Sequence, residues 1–100
     1  MANAIVEIIG AIYRIGEAHK FGREQMWKRK FWVKEINVKY PNFWGLEMWH
    51  ENTSLLNEYK QSQVVVCRCI VMGRQYTPKN GTGEEDSYTI LQCIEIKPLV

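Results

Sequence analysis

Apolar and polar positions alternate with a period of two over most of this chain, the signature of half-buried β-strands. The first such stretch is "AIVEIIGAIYRI", residues 4–15, in which Gly10 interrupts a β-branched run and suggests a bend or bulge. A polar segment follows from Gly16 to Gln25, read as a loop carrying His19, Lys20, Phe21 and Arg23. "MWKRKFWVKEINV" (26–38) reads as a second strand, and "YPN" (40–42) as the turn into a third, "FWGLEMW" (43–49). "ENTSLLNEYK" (51–60) then abandons the period of two. Asn52 or Thr53 can cap a short helix there, with Leu55, Leu56 and Tyr59 on one side. "VVVCRCIVMGRQY" (64–76) and "SYTILQCIEI" (87–96) are the fourth and fifth strands, joined by the Gly-, Pro- and Asn-rich "TPKNGTGEED".

Five strands with one short helix between the third and fourth predict an all-β OB-fold, a Greek-key barrel whose helix plugs one end. An SH3-like barrel would not need that helix, and a β-grasp or ferredoxin-like fold would need a longer one. A chain of 100 residues suffices for one domain over residues 1–100 with one core. No repeat, low-complexity tract or second domain is visible.

The alternation matters most in "KRKFWVKE", residues 28–35. In a strand, Arg29, Phe31 and Val33 share one face, and Lys28, Lys30, Trp32 and Lys34 share the other. The first face suits a core, with Arg29 at its wet end. The second suits something anionic and flat. In the third strand Trp44, Leu46 and Met48 fall on the core side, and Phe43, Gly45, Glu47 and Trp49 outside. Trp27 lies on the core-side register at the start of its strand, suited either to the core edge or to packing against a loop.

Composition sharpens this picture. Charged residues make up 24% and apolar residues 46%, which excludes a disordered chain. The net charge is only +2, yet residues 14–39 hold eight Lys/Arg against three Glu. A locally basic segment in a near-neutral protein is the footprint of a polyanion site, unless its lysines merely protect a solvated strand.

Other chemistry finds little support. Cys67, Cys69 and Cys93 are an odd number; C-x-C lacks zinc-knuckle spacing, and the first two fall in a buried row with Val65 and Val71. Neither a metal nor another cofactor is expected. His19 and His50 sit in unrelated places, and "KNGTGEED" lacks P-loop spacing, so the chain is not expected to be an enzyme. The N-terminus has no basic leader or cleavage site, and no stretch is long enough to span a bilayer. Cytoplasmic residence without membrane association is expected, in a host cytoplasm if phage-encoded.

The order of motifs resembles a family of small OB-fold proteins of gut-type bacteria and their phages, once catalogued as a domain of unknown function and associated with single-stranded DNA. "GAIYRI", "KRKFWVKE", "YPN", "LLNEY" and "GRQY" carry the likeness, from about Ile5 to Ile96. Four tryptophans and the cysteines of the fourth strand depart from the family's look. No acidic tail follows "IEIKPLV", so recruitment of repair enzymes through such a tail is not expected.

An OB-fold grips single strands across its second and third strands, flanked by the loops between strands one and two and between four and five. That places Lys28, Lys30, Trp32, Lys34, Phe43 and Trp49 in a candidate interface, with Lys20, Phe21 and Arg23 from the first loop and Lys79 from the last. Tyr13 is a candidate extension. Lysines would track phosphates while rings stack on bases. Phe43 and Trp49 suit an oligomer interface as well, and Arg68 and Arg74 are expected to be solvated. The resulting expectation is a single-stranded DNA-binding protein with little sequence preference, acting in replication or recombination as a dimer or tetramer. RNA is an alternative ligand. In a second alternative the basic-aromatic face docks an acidic protein partner.

Overall fold

The computed structural model of the chain describes residues 4–78 and 83–99. Its elements are β1 (Ala4–Phe21), β2 (Met26–Lys34), β3 (Phe43–Trp49), a 3₁₀ helix (His50–Glu58), β4 (Val64–Tyr76) and β5 (Asp86–Pro98). The strands close into a barrel in the order β1-β2-β3-β5-β4, antiparallel at every seam except β3–β5. This is the OB-fold arrangement that the strand and helix order predicts.

β1 departs most from the sequence reading. Gly16 to Phe21 is not loop but the continuation of the strand, paired with β2 as far as Phe21↔Met26. Only Gly22–Gln25 remains as the turn, closed by Gln25 N–H donating to the Gly22 carbonyl at 3.3 Å. Polar composition concealed a strand lying on the barrel's solvated outside. Two irregularities bend β1 enough to serve both β4 and β2, one between Ile12 and Arg14 and one between Ile15 and Ala18. Extra residues of this kind coil a strand and tighten its twist. Gly10, expected at a bulge, lies in regular pairing with Val65. Its role is close approach, because a Cβ there would stand 2.7 Å from Val33 Cγ1 and collide with the Lys34 carbonyl.

β2 ends at Lys34, earlier than its polar-apolar rhythm suggests. Glu35 N–H donates to the Asn42 carbonyl at 3.0 Å, and Asn37 adopts a left-handed φ of 61°, so the chain turns before Val38.

The core alternates as the pleat demands. Ile8, Ile12, Phe31, Val33, Leu46, Met48, Val65, Cys67, Cys69 and Cys93 all point inward and are buried. Val71, expected in the same row, is only half-buried, because it lies at the barrel's rim as the last β4 partner of β1, beyond which β4 runs on with β5 as a two-stranded hairpin. The three thiols are free, and hydrogen bonding to Cys93 together with burial pushes the Cys67 and Cys69 thiols up. Among the described residues no group of three or more His, Cys, Asp or Glu is placed to hold a metal ion.

The 3₁₀ helix closes one end of the barrel with Leu56, 1% exposed, while Leu55 faces outward. Neither Asn52 nor Thr53 caps it. Trp49 holds the N-cap position without a side-chain bond, and the chain enters the helix through His50 at a φ of 56°. Tertiary contacts fix the helix instead. Arg29, at the wet end of the core face, donates Nε to the Gly16 carbonyl (2.8 Å) and Nη1 to the Thr53 carbonyl (3.2 Å) and Asn57 Oδ1 (2.7 Å). One guanidinium thereby ties β1, β2 and the helix together. Tyr59 Oη adds a bond to the Ile96 carbonyl at 3.2 Å.

Phe31 is fully buried at the centre of this arrangement. Phe31→Ala is expected to lose about 3–5 kcal/mol of stability, as large-to-small changes of buried aromatics do. Denaturant unfolding of the variant checks this, and a loss below about 1 kcal/mol would mean that Phe31 does not anchor the core.

Candidate nucleic-acid interface

The outer face of β2 and β3, with the adjoining part of β1, is a stripe of rings interleaved with cations. Trp32 occupies its middle and faces Gly45 across the β2–β3 seam. A Cβ at Gly45 would stand 3.0 Å from Lys30 Cε and 3.4 Å from the indole, and one at Gly16 3.0 Å from the Lys30 carbonyl and 3.7 Å from the indole, so both glycines border the ring and the lysine beside it. The Arg14 guanidinium lies over the ring, 3.9 Å from its centroid, and Lys30 Nζ stands 5.4 Å away. Trp32 is thus a half-buried ring with a guanidinium over it.

A second station lies toward the β2–β3 connection. Phe43 packs edge-to-face on Tyr13 with centroids 5.1 Å apart, and Lys34 Nζ lies 5.5 Å from the Phe43 ring. A third lies at the opposite end, where Lys28 Nζ sits 4.7 Å from the Trp49 ring and 5.8 Å from the Phe21 ring. His19 packs against Phe21 at 6.2 Å. Trp49 Nε1–H donates to Glu47 Oε1 at 2.9 Å, and the same oxygen lies 3.9 Å from Lys28 Nζ. Phe43, Trp32 and Trp49 pair with or occupy positions 34, 32 and 28 of β2. Strand rise then separates successive stations by about 7 Å and about 13 Å. Gly16, Glu17, His19, Phe21, Lys28, Lys30, Trp32 and Glu47 line a shallow pocket of about 300 Å³ between the Trp32 station and the third.

Most of the anticipated residues therefore meet on one surface: Lys28, Lys30, Trp32, Lys34, Phe43 and Trp49, joined by Phe21. Lys20 does not. The strand that replaces the expected loop puts it out of phase with His19 and Phe21, and its Nζ lies 5.1 Å from the Trp27 ring. Trp27 itself is 45% exposed and borders a cleft with Ala18 and the 3₁₀ helix, so it belongs to the closed end of the barrel and not to the stripe. Arg23 lies exposed in the β1–β2 turn. Lys79 lies outside the described residues.

Sequence reasoning missed Arg14. Strict alternation from Ile12 would have turned it inward, but the irregularity after Ile12 pairs Arg14 with outward-facing Trp32. A signal was present. The inward isoleucines Ile12 and Ile15 are three apart instead of two, and that spacing requires one extra residue between them. Also unanticipated is a ring pair on the β4–β5 hairpin, Tyr76 and Tyr88, with centroids 5.7 Å apart and Arg74 paired to Tyr88.

The space at Gly45 makes a specific demand. Gly45→Val is expected to crowd the Lys30 side chain beside Trp32 and change the tryptophan emission, leaving the far-UV circular dichroism of the barrel unchanged. Unaltered emission would show that the space at Gly45 does not set the surroundings of the ring.

Three-dimensional likeness points the same way as the element order. The mitochondrial single-stranded DNA binding protein Rim1 of S. cerevisiae superposes with a TM-score of 0.78 at 16% identity, over 99% of this chain and 97% of that one. A second crystal form of Rim1 gives 0.74 at 15% identity, over 98% and 97%. A small single-stranded DNA-binding protein from Streptomyces coelicolor gives 0.64 at 11%, over 100% and 97%. At these identities the likeness establishes the fold. No curated protein matches the sequence itself. The family model described as "Domain of unknown function (DUF3127)" matches residues 7–97, nearly the whole chain, and the protein belongs to that family.

Proposed function

We propose that this protein binds single-stranded DNA with little sequence preference, along the stripe from Phe43 through Trp32 to Trp49. The observation that carries this reading is the Trp32 station: a ring bordered by two glycines, capped by the Arg14 guanidinium and flanked by Lys30. Rings and guanidinium planes stack on any base, and lysines neutralise any phosphate, so the chemistry is indifferent to sequence. Three stations along one strand suit the short end of the about 4–16 nucleotides that an OB-fold covers. The Tyr76–Tyr88 pair offers a continuation for a longer strand. All three superposed structures are described as single-stranded DNA-binding proteins, which agrees with the reading. RNA offers the same rings and phosphates and is the control ligand. An acidic protein partner would leave the three stacking stations without a purpose. The reading needs no catalytic group or cofactor, and its setting is replication or recombination in the cytoplasm. No helix among the described residues is long and apolar enough to cross a membrane.

Self-association is part of the proposal. Ile5 and Ile9 are each 47% exposed on the outside of the β1–β4 seam, beside Ile70 and Val66. Glu7 and Arg68 lie between them as register partners. A two-fold axis parallel to the strands would set Glu7 of one copy over Arg68 of the other and cover both apolar rows. Sedimentation of the wild type at micromolar concentration is expected to show a dimer or larger species, and Ile9→Lys a monomer. A monomeric wild type would reject this surface.

Binding is tested by tryptophan fluorescence titrated with oligo-dT, oligo-U and duplex DNA across a salt series. With three to five phosphates neutralised, log K should fall with log salt at a slope of about −2 to −3.5. Trp32→Ala should keep its melting temperature and lose about 1–3 kcal/mol of affinity, the worth of one stacked base, because it removes the ring that holds the Arg14 guanidinium on which a base would stack. Tighter binding to duplex than to oligo-dT would defeat the stacking argument, and a flat salt profile the electrostatic one.

A further inference from the structure

The outer face of β2 and β3 contains one residue of the wrong sign for its task. Glu47 projects from β3 directly opposite Lys30 and diagonally opposite Lys28, and Glu17 of β1 lines the same pocket. Its Oε1 lies 3.9 Å from Lys28 Nζ and accepts the Trp49 indole N–H at 2.9 Å. The Lys28 and Glu47 side chains are only 25% and 22% exposed, so the pair is partly shielded from solvent and salt. Lys28 is also the cation that lies against both Trp49 and Phe21. One carboxylate therefore holds the third station's ring and occupies its lysine.

We infer that Glu47 is a positioning residue that moderates the interface: it fixes the Trp49 indole for stacking while keeping Lys28 neutralised, so that grip on an anionic strand depends on bases more than on charge alone. The inference rests on the proposed single-stranded DNA reading. Two effects of the carboxylate can be separated. A carboxamide still accepts the Trp49 N–H but cannot neutralise an ammonium or repel a phosphate. Glu47→Gln should therefore leave Trp49 held while freeing Lys28 to bind a phosphate. Glu47→Ala should free Lys28 and release the ring together.

The experiment titrates the full chain with oligo-dT over a salt series, for the wild type, Glu47→Gln, Glu47→Ala, Lys28→Ala and the Lys28→Ala/Glu47→Gln double variant. Glu47→Gln is expected to bind about threefold more tightly at low salt, in line with the modest worth of a solvent-accessible ion pair. Its salt slope should steepen by about 0.7, one additional phosphate contact. Glu47→Ala should show the same steepening with a smaller fluorescence change on binding, because its indole is no longer fixed. The double variant should lose the added slope, since Lys28 is what produces it. A slope in Glu47→Gln equal to that of the wild type, or weaker binding at low salt, overturns the inference, as does a double variant that keeps the steeper slope. A wild type that binds oligo-dT normally while Glu47→Gln is unchanged rejects only the role of Glu47. A wild type that fails to bind oligo-dT rejects the underlying reading and the inference with it.

Discussion

The pleat of β2 is the constraint on which the rest of this molecule depends. Phe31 and Val33 are buried without exposed surface, while Trp32 between them lies on the outside of the barrel. A shift of one residue in that register would bury three lysines and expose the core, so the register is strongly specified. Barrel closure then transmits the choice. Phe31 faces Leu46 on β3 and Ile15 on β1, and the outer partners of Trp32 become Gly45 and Arg14. The same alternation that builds a dry interior therefore assembles a basic, aromatic exterior, and neither can be altered alone.

Arg29 joins the two. It belongs to the inward face but lies at the barrel's end, where its guanidinium binds carbonyls of β1 and the 3₁₀ helix. Its charge is thus spent within the fold, unlike those of Lys30 and Lys34. On the outer face, by contrast, the cations lie within about 6 Å of ring centroids. These contacts hold flexible side chains near the positions that phosphates and bases would occupy, which lowers the ordering cost of binding.

Where side chains alternate under the demand of a core, the sequence was legible. β3 and β4 match their expected limits, and Phe31, Val33, Leu46, Met48, Val65, Cys67 and Cys69 are buried as their register requires. Legibility failed where backbone geometry, not burial, decides the outcome. From Glu17 to Phe21 every residue is exposed and Gly16 is half-buried, so no apolar rhythm announces a strand. Polar composition therefore groups Lys20 with the stripe although it lies out of phase with it, and strict alternation passes over Arg14 because an extra residue reverses its direction. The helix start was likewise invisible, because tertiary bonds from Arg29 fix it and no Asn52 or Thr53 cap is used. The surroundings of Trp32, made by Gly16, Gly45 and Arg14, come together only when three strands are in register.

The proposed function rests on the outer face of β2 and β3, and not the closed end of the barrel around Trp27, as the surface that meets the nucleic acid. The chain's four tryptophans provide a direct test, since their indole N–H groups give separate signals in a two-dimensional ¹H–¹⁵N spectrum. On addition of oligo-dT, the Trp32 and Trp49 signals should move, while Trp44, packed against the core, and Trp27, at the barrel's closed end, should stay in place. Movement of Trp27 with Trp32 and Trp49 unchanged would place the interface at the wrong end of the barrel and contradict the account.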